Sequence, residues 1–176
     1  MDVRDFGAYS DGVGVNSQSF LLTNQNHDGG DSNIHIEGGI WDGNNLNNPR
    51  GPDTPGSYTG ALLNLINVAN LSLQQLTVRD AKAYFIRMGE VNDFVVADIR
   101  FEAQILRPNQ DGVHFGGYCE DGMIRDLIGV GKSTNDDLVA LNADNGILRL
   151  QGKSDDLKWS DVSASENVSK IRGYSV

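Results

Sequence analysis

Cysteine is nearly absent from this 176-residue chain. Cys119 stands alone, so no intrachain disulfide can form and the redox compartment is left open. Proline is scarce at 4 residues. Basic residues are few, 14 Lys and Arg against 24 Asp and Glu, for a net charge of −10. Without a basic stripe to neutralise phosphates, the charge argues against nucleic acid as a partner, and equally against an anionic membrane surface. A few local Arg or Lys side chains can still meet an anionic substrate. No apolar run approaches the roughly 20 residues of a membrane span. No h-region follows Met1, where Asp2-Val3-Arg4-Asp5 begins at once, so the expectation is a cytoplasmic protein, or a secreted one whose leader was removed. Helical periodicity is missing over any useful length. No phosphate-binding loop is present either, because GVGVNS lacks the preceding strand and the following Lys.

What is abundant is Gly, at 21 residues, together with Asn, a balance that favours turns and short strands. One string recurs: a polar Asn or Asp followed by apolar positions at +1, +3, +6 and +8. It reads NLSLQQLTV from Asn70, DFVVADIRF from Asp93 and DLKWSDVSA from Asp156, with a degraded copy DGMIRDLIG from Asp121 and a looser NIHIEGGIW from Asn33. Alternation at period two marks strands, and the extra residue between +3 and +6 predicts a tight bend between two of them. A second apolar stretch follows most copies: GALLNL, AYFIRMG, DGVHFGG, DDLVALN and KIRGYSV. Each unit, 23 to 37 residues from start to start, thus supplies about three short strands. Such a unit fits one coil of a parallel β-solenoid, whose inward face is buried only when coils stack. The competing arrangement is a β-sandwich with irregular strands. The expected architecture is all-β: one domain over 1–176, with five to seven short coils, a divergent N-terminal cap region at 1–32 and a loop insertion at 44–60. That insertion holds three of the four prolines and is expected either as a solvated loop or as one wall of a groove.

Stacking the second strands places Asn109-Gln110-Asp111-Gly112-Val113 over Asn135-Asp136-Asp137-Leu138-Val139. Strands in a ladder lie about 4.8 Å apart, so Asp111 and Asp137 are expected as close neighbours with Asp136 offset from them. Close like charges raise one carboxyl pKa and can hold a water between them. The plainer reading is an acidic turn, in which Asp caps its own backbone at a strand start, as Asp121 and Asp155-Asp156 would. His114 is expected outward beside the site, as a substrate contact or an exposed strand residue. Arg87 falls one coil below it, and Arg172 in the same column near the chain end. Such a column would suit a carboxylate ligand; solvation, or pairing with Glu90 or Glu102, is the competing role for each Arg.

Four strings together resemble a family. VRDFGAYSDGVGVNS is similar to the opening of many pectin-degrading right-handed β-helix proteins, and IHIEGGIWDGNN to one of their coils. NQDGVHF resembles the N-T-D-G-I motif and NDDLVAL the G-D-D-C-I-A-I motif of the polygalacturonases of glycoside hydrolase family 28. The resemblance runs from Val3 to about Asn142 and implies a single-stranded, right-handed, pectin-lyase-like parallel β-helix acting on galacturonan-type polysaccharide. It also implies inverting hydrolysis, with Asp111 and Asp137 activating water and Asp136 as general acid. An inverting pair stands about 6.5–9.5 Å apart to admit that water. Substrate contacts are then expected at Asn109, Asn135, His114, Arg87 and Arg172. The departures point to a shortened or divergent member: Asn135 replaces the Gly of G-D-D, and Gln110 replaces the Thr of N-T-D. The G-H-G motif is missing, and R-I-K has only Lys170-Ile171-Arg172 as a counterpart.

No cofactor is expected. Two alternatives remain: a non-catalytic carbohydrate-binding or structural β-helix, and a polysaccharide lyase in which Asp111, Asp136 and Asp137 hold Ca²⁺ through oxygen ligands. Because YSV ends the chain inside an apolar stretch, the expectation is an oligomer stacked through a terminal coil, or a fragment of a longer protein.

Overall fold

The computed structural model describes residues 20–47, 61–117 and 119–142, together with the backbone of 163–164 and 174–175. In chain order the strands are β1 (Leu22–Thr23), β2 (Asp31–Glu37), β3 (Ile40–Asp42), β4 (Ala61–Gln74), β5 (Thr77–Arg79), β6 (Tyr84–Glu102), β7 (Val113–Gly116), β8 (Cys119–Val130), β9 (Val139–Asn142), β10 (Ser163–Ala164) and β11 (Tyr174–Ser175). They form one 11-stranded, curled sheet, and the pairings are parallel. Among the described residues there is no helix.

The register follows the sequence repeat. Ile34 pairs with Leu71, Leu71 with Phe94 and Phe94 with Gly122, so the strings from Asn33, Asn70, Asp93 and Asp121 stack in phase. The second apolar stretches stack likewise, Leu22 on Leu63, Ile86, Val113 and Val139. Further along, Ser163 pairs with Met123, whereas a repeat counted from Asp156 would set Lys158 there. The rest of that copy lies outside the described residues.

The long strands β4 and β6 are not straight. Each repeat bends through the left-handed region at its first residue, Asn33 (φ 59°), Asn70 (59°), Asp93 (55°) and Asp121 (53°). It does so again five residues on, at Gly38 (72°), Gln75 (58°), Asp98 (56°) and Asp126 (55°). Asn, Asp and Gly tolerate this region best, which accounts for their density in the composition. Because the bends coincide from coil to coil, the sheet curls while every ladder continues. The side chains at the first bend also bond to one another, Asn70 Nδ2 donating to Asn33 Oδ1 at 2.8 Å.

Curling directs one set of side chains to a common interior. Phe85, Phe94, Phe101 and Phe115 are fully buried there with Leu63, Leu65, Leu71, Leu73, Ile86 and Ile99. Each contributes on the order of 1.5–3 kcal/mol relative to exposure. Phe85 meets Phe101 edge-on with centroids 5.4 Å apart, and Phe94 tilts against Phe115 at 5.5 Å. The copy that looked degraded at Asp121 is a packing partner: a Cβ on Gly122 would run into the Phe94 ring. Phenylalanine at one rung requires glycine at the next.

The stretches that lead to the site are buried on both faces. Leu62, Asn64 and Ile66 of β4 are buried as well as Leu63 and Leu65, and the same holds along Tyr84–Met88. At the start of the described chain, Asn24 acts as a strand in miniature. Its side chain donates to Ile66 O at 2.7 Å and accepts from Ile66 N at 2.9 Å.

Candidate active site

Asp111 and the Asp136-Asp137 pair sit immediately before two adjacent strands, β7 and β9. Val113 pairs with Val139, as the stacking of the two motifs predicts. The turns before the strands stay in ladder contact, since Gly112 N donates to Asp137 O at 2.9 Å. A Cβ on Gly112 would stand 2.5 Å from Leu138 O, so the glycine of N-Q-D-G is required by this close approach.

Asp111 is buried at 4 % exposure. Its Oδ2 accepts from His114 Nδ1 at 2.6 Å, and its Oδ1 accepts from Asp137 N at 3.3 Å. Both carboxylate oxygens therefore face donors, and the second donor ties Asp111 to the Asp137 backbone one coil on. Asp137 is partly buried, whereas Asp136 and Asn135 are exposed. Although Asp136 reaches solvent, the atoms crowded round it partly desolvate its carboxyl. That raises its pKa above the ordinary aspartate value, and the negative charge of Asp111 raises it further; His114 opposes the rise. The charge of the buried Asp111 thus reaches the exposed Asp136.

His114 is expected outward, yet only 1 % of it is exposed. Its ring stacks on Tyr84 with centroids 3.7 Å apart and planes 11° from parallel. Its Nε2 lies 3.4 Å from the amide nitrogen of Asn142. The register sets Arg87 beside His114, as expected, and continues the column through Thr23, Asn64 and Ala140. This column is interior. Arg87 is 3 % exposed and donates to Asn64 Oδ1 at 3.2 Å, while Asn64 Nδ2 donates to Thr23 Oγ1 at 3.0 Å. Burial of a charged side chain is costly unless polar partners accept it, and Asn64 is one of them. Arg172, and residues 48–60 of the insertion, lie outside the described residues.

Asn109 is exposed with φ 60°, a left-handed turn residue two positions before Asp111. Gln110, where the family motif carries Thr, is wholly buried. Its amide donates to Ala81 O at 2.6 Å and Ile105 O at 3.1 Å, and its carbonyl accepts from Arg107 N at 2.5 Å. Gln110 thereby pins the loop that delivers Asp111 onto the preceding coil. Asp80 braces the other side of that loop, accepting from Gln104 N at 2.6 Å and Gln104 Nε2 at 2.8 Å.

Tyr84, Gln110 and Asn142 were not singled out by sequence reasoning. Tyr84 and Asn142 carried no motif signal, because their part depends on what the neighbouring coil places opposite them. Gln110 was noted only as a departure. Among the described residues, no group of three or more His, Cys, Asp or Glu is arranged to hold a metal ion, and no helix is long and apolar enough to cross a membrane. Cys119 is buried, and burial pushes its thiol up to about 12, so it stays protonated at neutral pH and is a poor nucleophile.

Comparison with curated proteins and with solved structures returned no match. The family model described as "Glycosyl hydrolases family 28" matches residues 11–164, spanning the stacked repeats and all three aspartates. The parallel ladders, their sequence repeat and this match agree: the chain belongs to glycoside hydrolase family 28.

Proposed function

We propose that the chain is an inverting hydrolase of galacturonan-type polysaccharide, with the curled sheet forming the wall of a right-handed parallel β-helix. Family membership supports glycoside hydrolase chemistry and a polysaccharide substrate. The handedness is supported by parallel pairing between successive coils, since parallel β crossovers are right-handed in about 98 % of cases.

One observation carries the mechanism: the coupling between an exposed Asp136, whose pKa is raised by partial desolvation and by Asp111, and a buried Asp111 held by donors at both oxygens. Two carboxyl groups with contrasting environments divide into acid and base. Asp136, whose pKa is raised, is the general acid. It gives its proton to the glycosidic oxygen as the bond from that oxygen to the anomeric carbon breaks. Water attacks the anomeric carbon from the opposite face, and its proton passes to the carboxylate pair of Asp111 and Asp137. The new C–O bond inverts the configuration, and the enzyme is restored when Asp136 regains a proton. Asn109 and Asn135, exposed beside the two motifs, are placed to contact sugar hydroxyls. Arg87, beside His114 in the buried register column, and Arg172 are proposed as carboxylate contacts.

The test is release of reducing ends from polygalacturonate, with product configuration followed by NMR. We expect inverted products, and a loss of about 10²–10⁴-fold in kcat for Asp136→Asn, the range for removing a general acid. Unchanged turnover in Asp136→Asn would overturn the assignment. Oligosaccharide binding without turnover would identify a binding module, and unsaturated, calcium-dependent products a lyase.

A further inference from the structure

The hydrolytic scheme assigns no direct part to the buried imidazole of His114, which is nevertheless in contact with Asp111. His114 lies on β7, three residues after Asp111, with its side chain 2 % exposed. It is therefore hidden from a polymer lying along the surface. Three contacts fix it. The face-to-face stack on Tyr84 sets the plane of the ring. The Asp111 carboxylate, which can only accept when ionised, requires a proton on Nδ1 across 2.6 Å. The Asn142 amide nitrogen, a donor, lies 3.4 Å from Nε2, a position that suits a lone pair on that nitrogen. One tautomer satisfies both demands at once: the neutral ring protonated at Nδ1.

We propose that His114 is a positioning residue for Asp111, held in the Nδ1-protonated tautomer by Tyr84 and Asn142. It fixes one carboxylate oxygen so that the remaining lone pairs face the water. This inference rests on the hydrolase reading. The three clamping residues come from three successive coils, β6, β7 and β9, so the arrangement exists only in the stacked molecule. Its geometric reason follows from the chain. Asp111 precedes β7 rather than lying within it, and the backbone alone does not fix its side-chain torsions. A donor three residues on, on a rigid strand, supplies that constraint. Nearby charged groups are Arg87, paired in register with His114 on β6, and Asp136 and Asp137 before β9.

The experiment compares His114→Phe with His114→Asn in the full chain. Phenylalanine keeps a ring to stack on Tyr84 but has no donor, whereas the asparagine amide can place an N–H near the position of Nδ1. On polygalacturonate, His114→Phe should lower kcat by about 10²-fold, the scale of a small misplacement of a reacting group, with little change in KM. His114→Asn should recover much of that loss. In parallel, ¹⁵N NMR of the imidazole in the wild-type protein should report the Nδ1-protonated tautomer, with its downfield proton lost in Asp111→Asn. The proposal is overturned by full activity in His114→Phe, by an Nε2-protonated ring, or by equal losses in both variants that follow their unfolding midpoints. Failure of the wild-type protein to turn over polygalacturonate, with the tautomer present, would instead overturn the hydrolase reading, and the catalytic role of His114 with it.

Discussion

Asp136 and Asp111 show how the same side chain can meet opposite surroundings within one site. They stand before neighbouring strands, yet Asp111 is buried against two donors while Asp136 is exposed beside its negative charge. A raised carboxyl pKa in the folded state means that folding favours the protonated form. The stability associated with Asp136 is therefore fully present below its unfolded pKa and is lost as pH rises through the higher folded value. Near neutral pH the ionised group is a small burden on the fold, and its exposure keeps that burden small. Asp136→Asn should raise Tm slightly at neutral pH, with the gain vanishing in acid, while hydrolysis is lost. A thermal melt that shows a lower Tm at neutral pH would mean that the carboxylate serves the structure instead. Asp111→Asn should let the Asp136 pKa fall part of the way back, because desolvation, the larger cause, remains; carboxyl NMR titration reads this directly. The identity of Asp111, Asp136 and Asp137 as a group was legible in sequence because the motifs stack in the repeat. The split in their environments was not, because exposure depends on the coils packed around each group.

At the scale of the element, the repeating unit is a pair of short strands joined by single left-handed residues. The interruption of alternation between +3 and +6 was readable, and it falls at Gly38, Gln75, Asp98 and Asp126. The first residue of each string is a second bend, and its preference for Asn and Asp has the same backbone cause. What the string could not convey is complementarity between rungs. Gly122 breaks the apolar pattern at +1 because the Phe94 ring occupies the volume its side chain would need. Gly122→Ala should destabilise by about 1–3 kcal/mol, the usual cost of overpacking a filled core. Urea unfolding measures this, and Phe94→Leu in the same chain should return part of the loss by vacating that volume. A neutral Gly122→Ala would show that the rung spacing relaxes to admit a methyl group.

At the scale of the whole molecule, stability is shared between neighbouring coils, because a coil buries its inner face only against the next. The strand β6 pairs with β4 and β5 on one side and with β7 and β8 on the other, and Tyr84–Met88 is buried on both faces. Among the described residues, its amides should show the slowest hydrogen exchange, while the short strands β1, which pairs with β4, and β3, which pairs with β5, should exchange earlier. Faster exchange in β6 than in β3 would contradict nearest-neighbour stacking. The same organisation governs the site: Tyr84 from one coil, Asp111 and His114 from the next and Asn142 from the one after meet because the coils stack.

Read by itself, the sequence was sufficient for the repeat, the parallel stacking of its strings, the bend between +3 and +6 and the pairing of the two aspartate motifs. Each of these depends on local preference, the period of two and the tolerance of Asn, Asp and Gly for positive φ, so each leaves a mark on consecutive residues. Only the tertiary structure decided which faces are closed to water. Arg87 and His114, placed outward by alternation, are interior because the strands that carry them are covered on both sides. Gln110, noted only as a substitution, became the pin of the Asp111 loop. Burial and hydrogen-bond partners are set by residues a whole coil away, and the alternation along one strand carries no record of what will stand above or below it.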